Sequence, residues 1–479
     1  MTKPSTPEAS DGPGARIAAQ VRSRPTAPAL SFDGRTLDYR SLGERIEHWT
    51  QRLAADGLGA GDSFGWLAHN HPDTIAALCA CERLGLRFVP LNWRLSAPEL
   101  AAIVAHANLQ RWHVGASVRA LADDVLAAMP LPQPRAAGHR AGDLMLVYTS
   151  GTTGQPKGAI HTAAGMAANI DAAIDAQGFD AGTVALAVLP LFHVGGLCIQ
   201  TLPVLAAGGH VRLHERFDPG AWIADVARHR PDTSLLVPAV MRALLEHPDW
   251  PDADLSSLRF VNAGSQIVPV PLIEAFHARG VPVTQVWGST ETGPVSVVLR
   301  PDQALAHPGR VGWPARGVRI RLGDDGEILV NAPNLMRGYH RAEAASFDAE
   351  GWFHSGDLAR RHPDGCLEVV GRNKDLIISG GENIYPAEIE NLLAHDPEIA
   401  EAVVLGLPDP RWGEVPVLVL VPRAGRAVDE ARLRRLFDER LARFKHPRRI
   451  VVAASLPRTA LGKVQKVALR ERLLDPAQG

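Results

Sequence analysis

A chain of 479 residues exceeds what one hydrophobic core holds, since cores stop growing at about 250–300 residues, so at least two domains are expected. Apolar residues make up 46%, charged residues 21% and the formal net charge is −2, a balance that offers no electrostatic reason to bind nucleic acid or anionic lipid. Four cysteines (Cys79, Cys81, Cys198 and Cys366) are too few and too scattered for a disulfide framework or a zinc site, and read as buried or inert thiols.

Residues 1–28 are rich in Pro, Ser, Ala and Gly and read as a flexible tail without the apolar run of a signal peptide. No later stretch reaches about 18 uninterrupted apolar residues, so no stable membrane insertion is expected and the cytoplasm is the expected location. From residue 29 onward, apolar runs at 63–69, 143–148, 184–189 and 235–237 alternate with Ala-rich helical stretches at 74–84 and 98–106. That alternation predicts an α/β protein with largely parallel sheets. The segment Gly61-Asp62-Ser63-Phe64-Gly65 fits the Gly-x-Ser-x-Gly pattern of serine hydrolases, but here a turn precedes a strand, the reverse of a nucleophile elbow. A helix over 271–279, a strand over 283–287 and a polar turn over 288–293 place functional groups just past a strand end, where open sheets bind ligands.

Beyond Arg372 the texture changes to a helix at 386–395, strands at 402–407 and 415–421, a helix over 429–444 ended by Pro447, and a strand at 449–453. Leu433, Leu436, Phe437, Leu441 and Phe444 fall on one face of the second helix. The expected architecture is a large domain of mixed, largely parallel sheets with helices over 29–373, and a small mobile α+β domain over 374–479.

Of fifty basic residues only six are lysine: Lys3, Lys157, Lys374, Lys445, Lys463 and Lys466. Against that bias a lysine marks a place that needs a compact, flexible point charge. Lys157 closes Tyr148-Thr149-Ser150-Gly151-Thr152-Thr153-Gly154-Gln155-Pro156-Lys157-Gly158, a run of hydroxyls and glycines directly after an apolar strand. Glycines let backbone N–H groups approach an anion, the hydroxyls add donors, and Lys157 supplies charge for terminal phosphates. No Gly-Lys-Ser/Thr follows at the spacing of a Walker A loop.

This segment resembles the phosphate-binding signature of the adenylate-forming superfamily of acyl-CoA synthetases, firefly-type luciferases and nonribosomal-peptide adenylation domains. Further segments match that superfamily in order. The resemblance implies that in Trp287-Gly288-Ser289-Thr290-Glu291 the carboxylate of Glu291 is a Mg²⁺ ligand, Thr290 touches the α-phosphate, and Trp287 stacks on adenine or shapes the site, although Tyr or Phe is more usual there. It implies that Asp357, in Gly351-Trp352-Phe353-His354-Ser355-Gly356-Asp357, accepts hydrogen bonds from both ribose hydroxyls, and that Arg372 binds ribose. Lys374 then matches the interdomain hinge. Gly380 and Gly381 match a loop that approaches the pantetheine arm of coenzyme A, and also suit a tight turn before the helix at Pro386.

Lys463, in Pro457-Arg458-Thr459-Ala460-Leu461-Gly462-Lys463, matches the superfamily's C-terminal lysine loop and is the expected adenylation residue. Lys466 reads as a solvated charge, and Lys445 as a partner of a helix C-terminus. His193, in Leu189-Pro190-Leu191-Phe192-His193-Val194-Gly195-Gly196, matches the histidine bordering the acyl pocket and thiol tunnel. Gly264, Ser265 and Gln266 sit where the family lines the adenine and acyl pockets, with Gln266 departing from the usual Ala or Pro. The implied activity is AMP-forming ligation of a carboxylic acid to coenzyme A, with ATP and Mg²⁺; loading of an acyl carrier protein is the alternative, and a homodimer is left open. The apolar stretches 193–197 and 235–241 suggest a medium-chain aliphatic or aryl monocarboxylate. No arginine lies in either stretch, although Arg242 adjoins, which weakly disfavours a dicarboxylate.

Overall fold

A computed structural model describes residues 12–128, 140–149, 157–341, 347–379, 382–458 and 463–474. The largest sheet has nine strands, and its centre is six parallel neighbours in the order Val283–Trp287, Phe260–Gly264, Thr233–Leu236, Val184–Ala187, His210–Leu213 and Pro28–Phe32. Antiparallel strands close both edges: Arg35–Asp38 at one, Val297–Leu299 and Trp313–Pro314 at the other. Strands such as Thr233–Leu236 and Val283–Trp287 are buried along their whole length, as strands covered by helices on both faces must be.

A second sheet of six strands pairs Arg87–Pro90, Ser63–Leu67, Arg111–Val114 and Asp143–Thr149 in parallel, then turns antiparallel through Lys157–Thr162 and Gly338–Tyr339. Ser63 begins its strand rather than following one, so the Gly-x-Ser-x-Gly segment is not a nucleophile elbow. A four-stranded antiparallel sheet, Arg319–Leu322, Glu327–Asn331, Phe353–Arg361 and Leu367–Arg372, leads into the C-terminal part. There Ile399–Asp409 and Gly413–Pro422 form a long hairpin flanked by Ile377–Ser379, Glu382–Ile384 and the parallel strand Arg449–Val452. The α/β fold class read from the sequence is the one observed.

Local chemistry sets the helix ends. Proline opens Pro72–Leu84, Pro219–His229, Pro238–Leu245 and Pro386–Leu393, where a missing N–H costs nothing. Asp218 and Asp429 accept backbone N–H groups at the starts of theirs, and Gly85 ends Pro72–Leu84 in the left-handed conformation at φ 67°. Cys79, Cys81, Cys198 and Cys366 are all buried free thiols; burial pushes Cys79 and Cys81 up, and Cys198 up to about 12.

Two expectations are corrected here. Part of the supposed tail is structure: Pro13–Ser23 is a helix whose Ile17 is fully buried, and the Glu82 carboxylate accepts the N–H groups of Gly14 and Ala15 at 2.7 and 3.2 Å. Composition hid this because a helix of 11 residues with one strong apolar anchor reads as polar. The helix expected over 429–444 ends at Arg440; Leu441 turns extended, its carbonyl accepts His446 Nε2 at 3.0 Å, and Phe444 is left 39% exposed instead of joining Leu433 and Phe437 in the core. Among the described residues no helix is long and apolar enough to cross a membrane.

Candidate active site

The residues singled out by the motifs come from strand ends of three sheets. Thr149 and Lys157 are register partners at the end of an antiparallel pair, which brings the two flanks of the hydroxyl- and glycine-rich run side by side. Ser150, Gly151, Thr152, Thr153 and Gly154 lie outside the described residues, as do Gly380 and Gly381. Thr149 Oγ1 donates to the carbonyl of Lys157 at 3.4 Å, and the Lys157 ammonium stands 5.4 Å from the centre of the Tyr339 ring.

Residues 288–293 follow the strand Val283–Trp287, the last of the parallel strands on that side of the large sheet. A Cβ on Gly288 would stand 2.1 Å from the carbonyl oxygen of Pro294, so only glycine fits that close approach. Thr292 Oγ1 accepts the Ser289 N–H at 2.8 Å, and Asn334 Nδ2 donates to the carbonyls of Thr292, Gly293 and Val295 at 3.2, 2.8 and 3.2 Å. Thr290 is buried in this knot, and the Glu291 carbonyl accepts the Met336 N–H at 2.8 Å. The Tyr339 hydroxyl donates to Glu291 Oε1 at 2.8 Å. Tyr339 thus touches both the carboxylate and the cation of the site, and the sequence reading missed it because a tyrosine in a two-residue strand carries no pattern.

Asp357 and Arg372 are register partners on neighbouring strands, with Arg372 Nε 2.7 Å from Asp357 Oδ1. The Trp287 indole N–H donates to Asp357 Oδ2 at 2.9 Å, so the aromatic residue expected beside adenine also holds the carboxylate expected beside ribose. Burial raises the Asp357 carboxyl above its ordinary range, against the pull of Arg372, the indole N–H and Lys463. Lys463 comes from the C-terminal part and stands within electrostatic reach of all of these groups. Burial and Arg372 lower its pKa, while Asp357 and Glu291 oppose that shift. Lys374 lies in the exposed turn Asn373–Asp375 immediately after Arg372.

A cavity of about 1700 Å³ opens beside Lys463, lined by His193, Gly195, Gly196, Ser265 and Gln266. The Gly195 N–H donates to His193 Nδ1 at 3.1 Å, which leaves the proton of the neutral ring on Nε2. Burial first, then Lys463 and Arg94, lower the His193 pKa to about 4. Ser265 is held at φ +67°, a strained conformation for a non-glycine residue, directly after Gly264, where a Cβ would stand 2.5 Å from the Val286 carbonyl oxygen. Val237, Ala239, Val240 and Ala243 form the apolar wall. A cation does reach this cavity: Arg94, stacked 5.0 Å from the Trp93 ring centre, which corrects the expectation built on Arg242 alone. Two lysine readings change as well. Lys445 pairs with Glu388 at 2.7 Å rather than with a helix end, and Lys466 is ion-paired rather than solvated.

A buried carboxylate beside an arginine, with a lysine from the C-terminal part at the mouth of a large cavity, is the arrangement of an enzyme site for a small molecule. The AMP-binding enzyme family model matches residues 17–340, and the AMP-binding enzyme C-terminal domain model matches residues 388–463. Similar curated proteins include an indoleacetate–CoA ligase of Aromatoleum aromaticum, 41% identical over 93% of this chain and 95% of its own length, and a feruloyl-CoA synthase of an Amycolatopsis species, 38% identical over 96% and 99%. Among solved structures, the o-succinylbenzoate CoA synthetase of Bacillus subtilis in complex with its acyl-adenylate intermediate is 31% identical with a TM-score of 0.82, covering 96% of this chain and 98% of that one. The chain belongs to the AMP-binding, or adenylate-forming, superfamily, in its carboxylate–CoA ligase branch.

Two outcomes are expected from this geometry. Gly288→Ala should abolish nucleotide binding measured by calorimetry while the chain stays folded by circular dichroism, because the backbone of 288–293 must shift to admit the methyl group. His113, His161, His193, His210 and His340 all have pKa values lowered to about 4, chiefly by burial. The unfolded chain therefore binds more protons between about pH 6.5 and 4, and stability present above that window is lost as pH falls through it. Scanning fluorimetry should give an unfolding midpoint that drops across that interval, with the His193 ring resonances unmoved above about pH 5.5.

Proposed function

We propose that this enzyme activates an aryl or medium-chain aliphatic monocarboxylate as an acyl-adenylate at the expense of ATP, then transfers the acyl group to coenzyme A, releasing AMP and pyrophosphate. The observation that carries the reading is Lys463, delivered by the C-terminal segment into the group formed by Asp357, Arg372 and Glu291 at the mouth of the cavity. When a carboxylate oxygen attacks the α-phosphorus, negative charge grows on the phosphoryl oxygens and on departing pyrophosphate. A cation held there favours the transition state over the ground state, an effect of about 3–4 kcal/mol, on the order of 10² to 10³ in rate.

In this reading Thr149 and Lys157, with the intervening hydroxyls and glycines of 150–154, cradle the β- and γ-phosphates. Asp357 and Arg372 hold ribose, Trp287, Gly288 and Gly264 bound the adenine site, and Thr290 meets the α-phosphate. The donor set suits Mg²⁺ carried in by the nucleotide: Glu291 offers hard carboxylate oxygens with Tyr339 fixing one of them, and among the described residues no cluster of three or more potential ligands would hold a metal alone. Bound there, Mg²⁺ would neutralise phosphate charge. His193, neutral with its proton on Nε2, can donate a hydrogen bond toward the cavity beside Ser265 and Gln266. The domain over 374–479 then turns about Lys374, withdrawing Lys463 and bringing the segment at Gly380 and Gly381 toward the pantetheine thiol.

Support for an aryl acid comes from the small and apolar residues Gly195, Gly196, Val237, Ala239 and Val240 in the cavity lining, and from the relatives named for indoleacetate and ferulate. The test is pyrophosphate release with ATP and Mg²⁺ across a panel of aryl, aliphatic and dicarboxylic acids, with coenzyme A, with a phosphopantetheinylated carrier protein, and with neither. CoA-stimulated turnover of aryl acids to AMP is expected; stimulation by the carrier alone would move the acceptor to that protein. Lys463→Ala should abolish acyl-adenylate formation yet retain thioester formation from supplied acyl-adenylate. Equal loss of both steps would sink the two-conformation reading.

A further inference from the structure

Lys466 opens the helix Lys466–Leu474, three residues after Lys463. Its ammonium reaches two carboxylates of the C-terminal segment, Asp375 Oδ2 at 3.4 Å and Glu390 Oε1 at 3.7 Å. Asp375 closes the turn that contains Lys374. Glu390 sits on the helix Pro386–Leu393, and its Oε1 also accepts the Val404 N–H at 2.8 Å, which ties it to the long hairpin. Burial raises the Glu390 carboxyl, and Lys466 is the largest influence pulling it back, so the ammonium is the counter-charge of a carboxylate withdrawn from water.

The stretch between the two lysines is anchored as well. The Gln465 N–H donates to the Pro457 carbonyl at 2.8 Å, and Arg458 and Val464 form an antiparallel bridge, so the chain entering and leaving residues 459–462 is pinched together. Glu401 pairs with Arg458, and Glu414 with Arg470 at 2.5 Å, fastening the flanks of the pinch to the hairpin. The contact of Lys466 with Asp375 ties this unit to the turn at Lys374.

We propose that Lys466 is a positioning residue for adenylation: it locks the segment bearing Lys463 to the turn bearing Lys374, so that hinge and catalytic lysine move as one body. The proposal rests on the reading of Lys463 and Lys374 given above. All three members of the lock lie on the C-terminal side of Lys374, so domain rotation leaves it intact and transmits the turn of the hinge to the Lys463 ammonium without slack. A misplacement of about 1 Å at a reacting group can cost on the order of 10²-fold in rate. Thioester formation has no such dependence on Lys466, because Lys463 has withdrawn by then.

The experiment compares wild type, Lys463→Ala, Lys466→Ala, Lys466→Arg, Asp375→Asn and the double variant Lys466→Ala/Asp375→Asn in two separate assays: pyrophosphate exchange, which reads adenylation, and thioester formation from supplied acyl-adenylate. Lys466→Ala is expected to slow adenylation by about 10- to 100-fold while thioester formation is retained, and Lys466→Arg, which keeps the charge, recovers most of the loss. Asp375→Asn, a change in an exposed turn, serves the same comparison should Lys466→Ala fail to fold. The double variant should lose no more than the worse single one, the non-additivity of a direct pair. Equal losses in both assays, additive losses in the double variant, or no recovery with arginine would overturn the lock. Lys463→Ala with undiminished adenylation would instead overturn the underlying reading and the lock with it, whereas a selective Lys463→Ala beside an unselective Lys466→Ala removes the lock alone.

Discussion

The Asp357 carboxylate joins the parts of this molecule. It receives the indole N–H of Trp287 from the end of a parallel strand of the large sheet and faces the guanidinium of Arg372 from the neighbouring strand of the four-stranded sheet. A carboxylate this deeply buried is costly unless it is compensated, and here one oxygen accepts the indole N–H from the large sheet while the other lies against the Arg372 charge of its own sheet. The relative placement of the two sheets is thereby specified by polar geometry, which is directional, as well as by apolar packing, which is not. Arg372 is also the last residue before the turn at Lys374, so the grip on Asp357 marks where the N-terminal architecture stops and the C-terminal segment begins.

From that joint the rest of the site follows by proximity. Trp287 cannot leave Asp357 without dragging residues 288–293, and that turn is immobilised by the three carbonyls that share Asn334 Nδ2. Glu291 inherits its position from the turn and its orientation from Tyr339, whose ring in turn lies beside the Lys157 ammonium. The order of Glu291, Tyr339 and Lys157 is therefore borrowed from the sheets that carry them.

How much of this could be read in advance depended on whether a residue's role was local. Trp287, Glu291, Asp357 and Lys463 stood out because each sits in a short, unusual string of glycines, hydroxyls and charges, and the rarity of lysine sharpened the last of them. The strand at 283–287 was legible because a short run rich in β-branched and aromatic residues, Val-Thr-Gln-Val-Trp, lies between turn formers. Tyr339 and Asn334 were not legible: each acts through partners far along the chain, as in the |i−j| of 48 between Tyr339 and Glu291, and no spacing rule encodes such a contact. The misread lysines fail for the same reason. Lys445 looks like a partner of a helix end and Lys466 like a solvated charge along the chain, and both find their carboxylates only in three dimensions.

The wall of the cavity has a different ancestry in the fold from its floor. Val237 caps the helix Pro238–Leu245, and Ala239, Val240 and Ala243 lie along it. Asp357, Glu291 and Lys463 are carried by other elements, so side chains on this helix can exchange size and polarity while that charged group keeps its supports. With the acid seated in the cavity as proposed, its identity can vary through a few helical positions without renegotiating the chemistry, which makes this helix the first address for redesign.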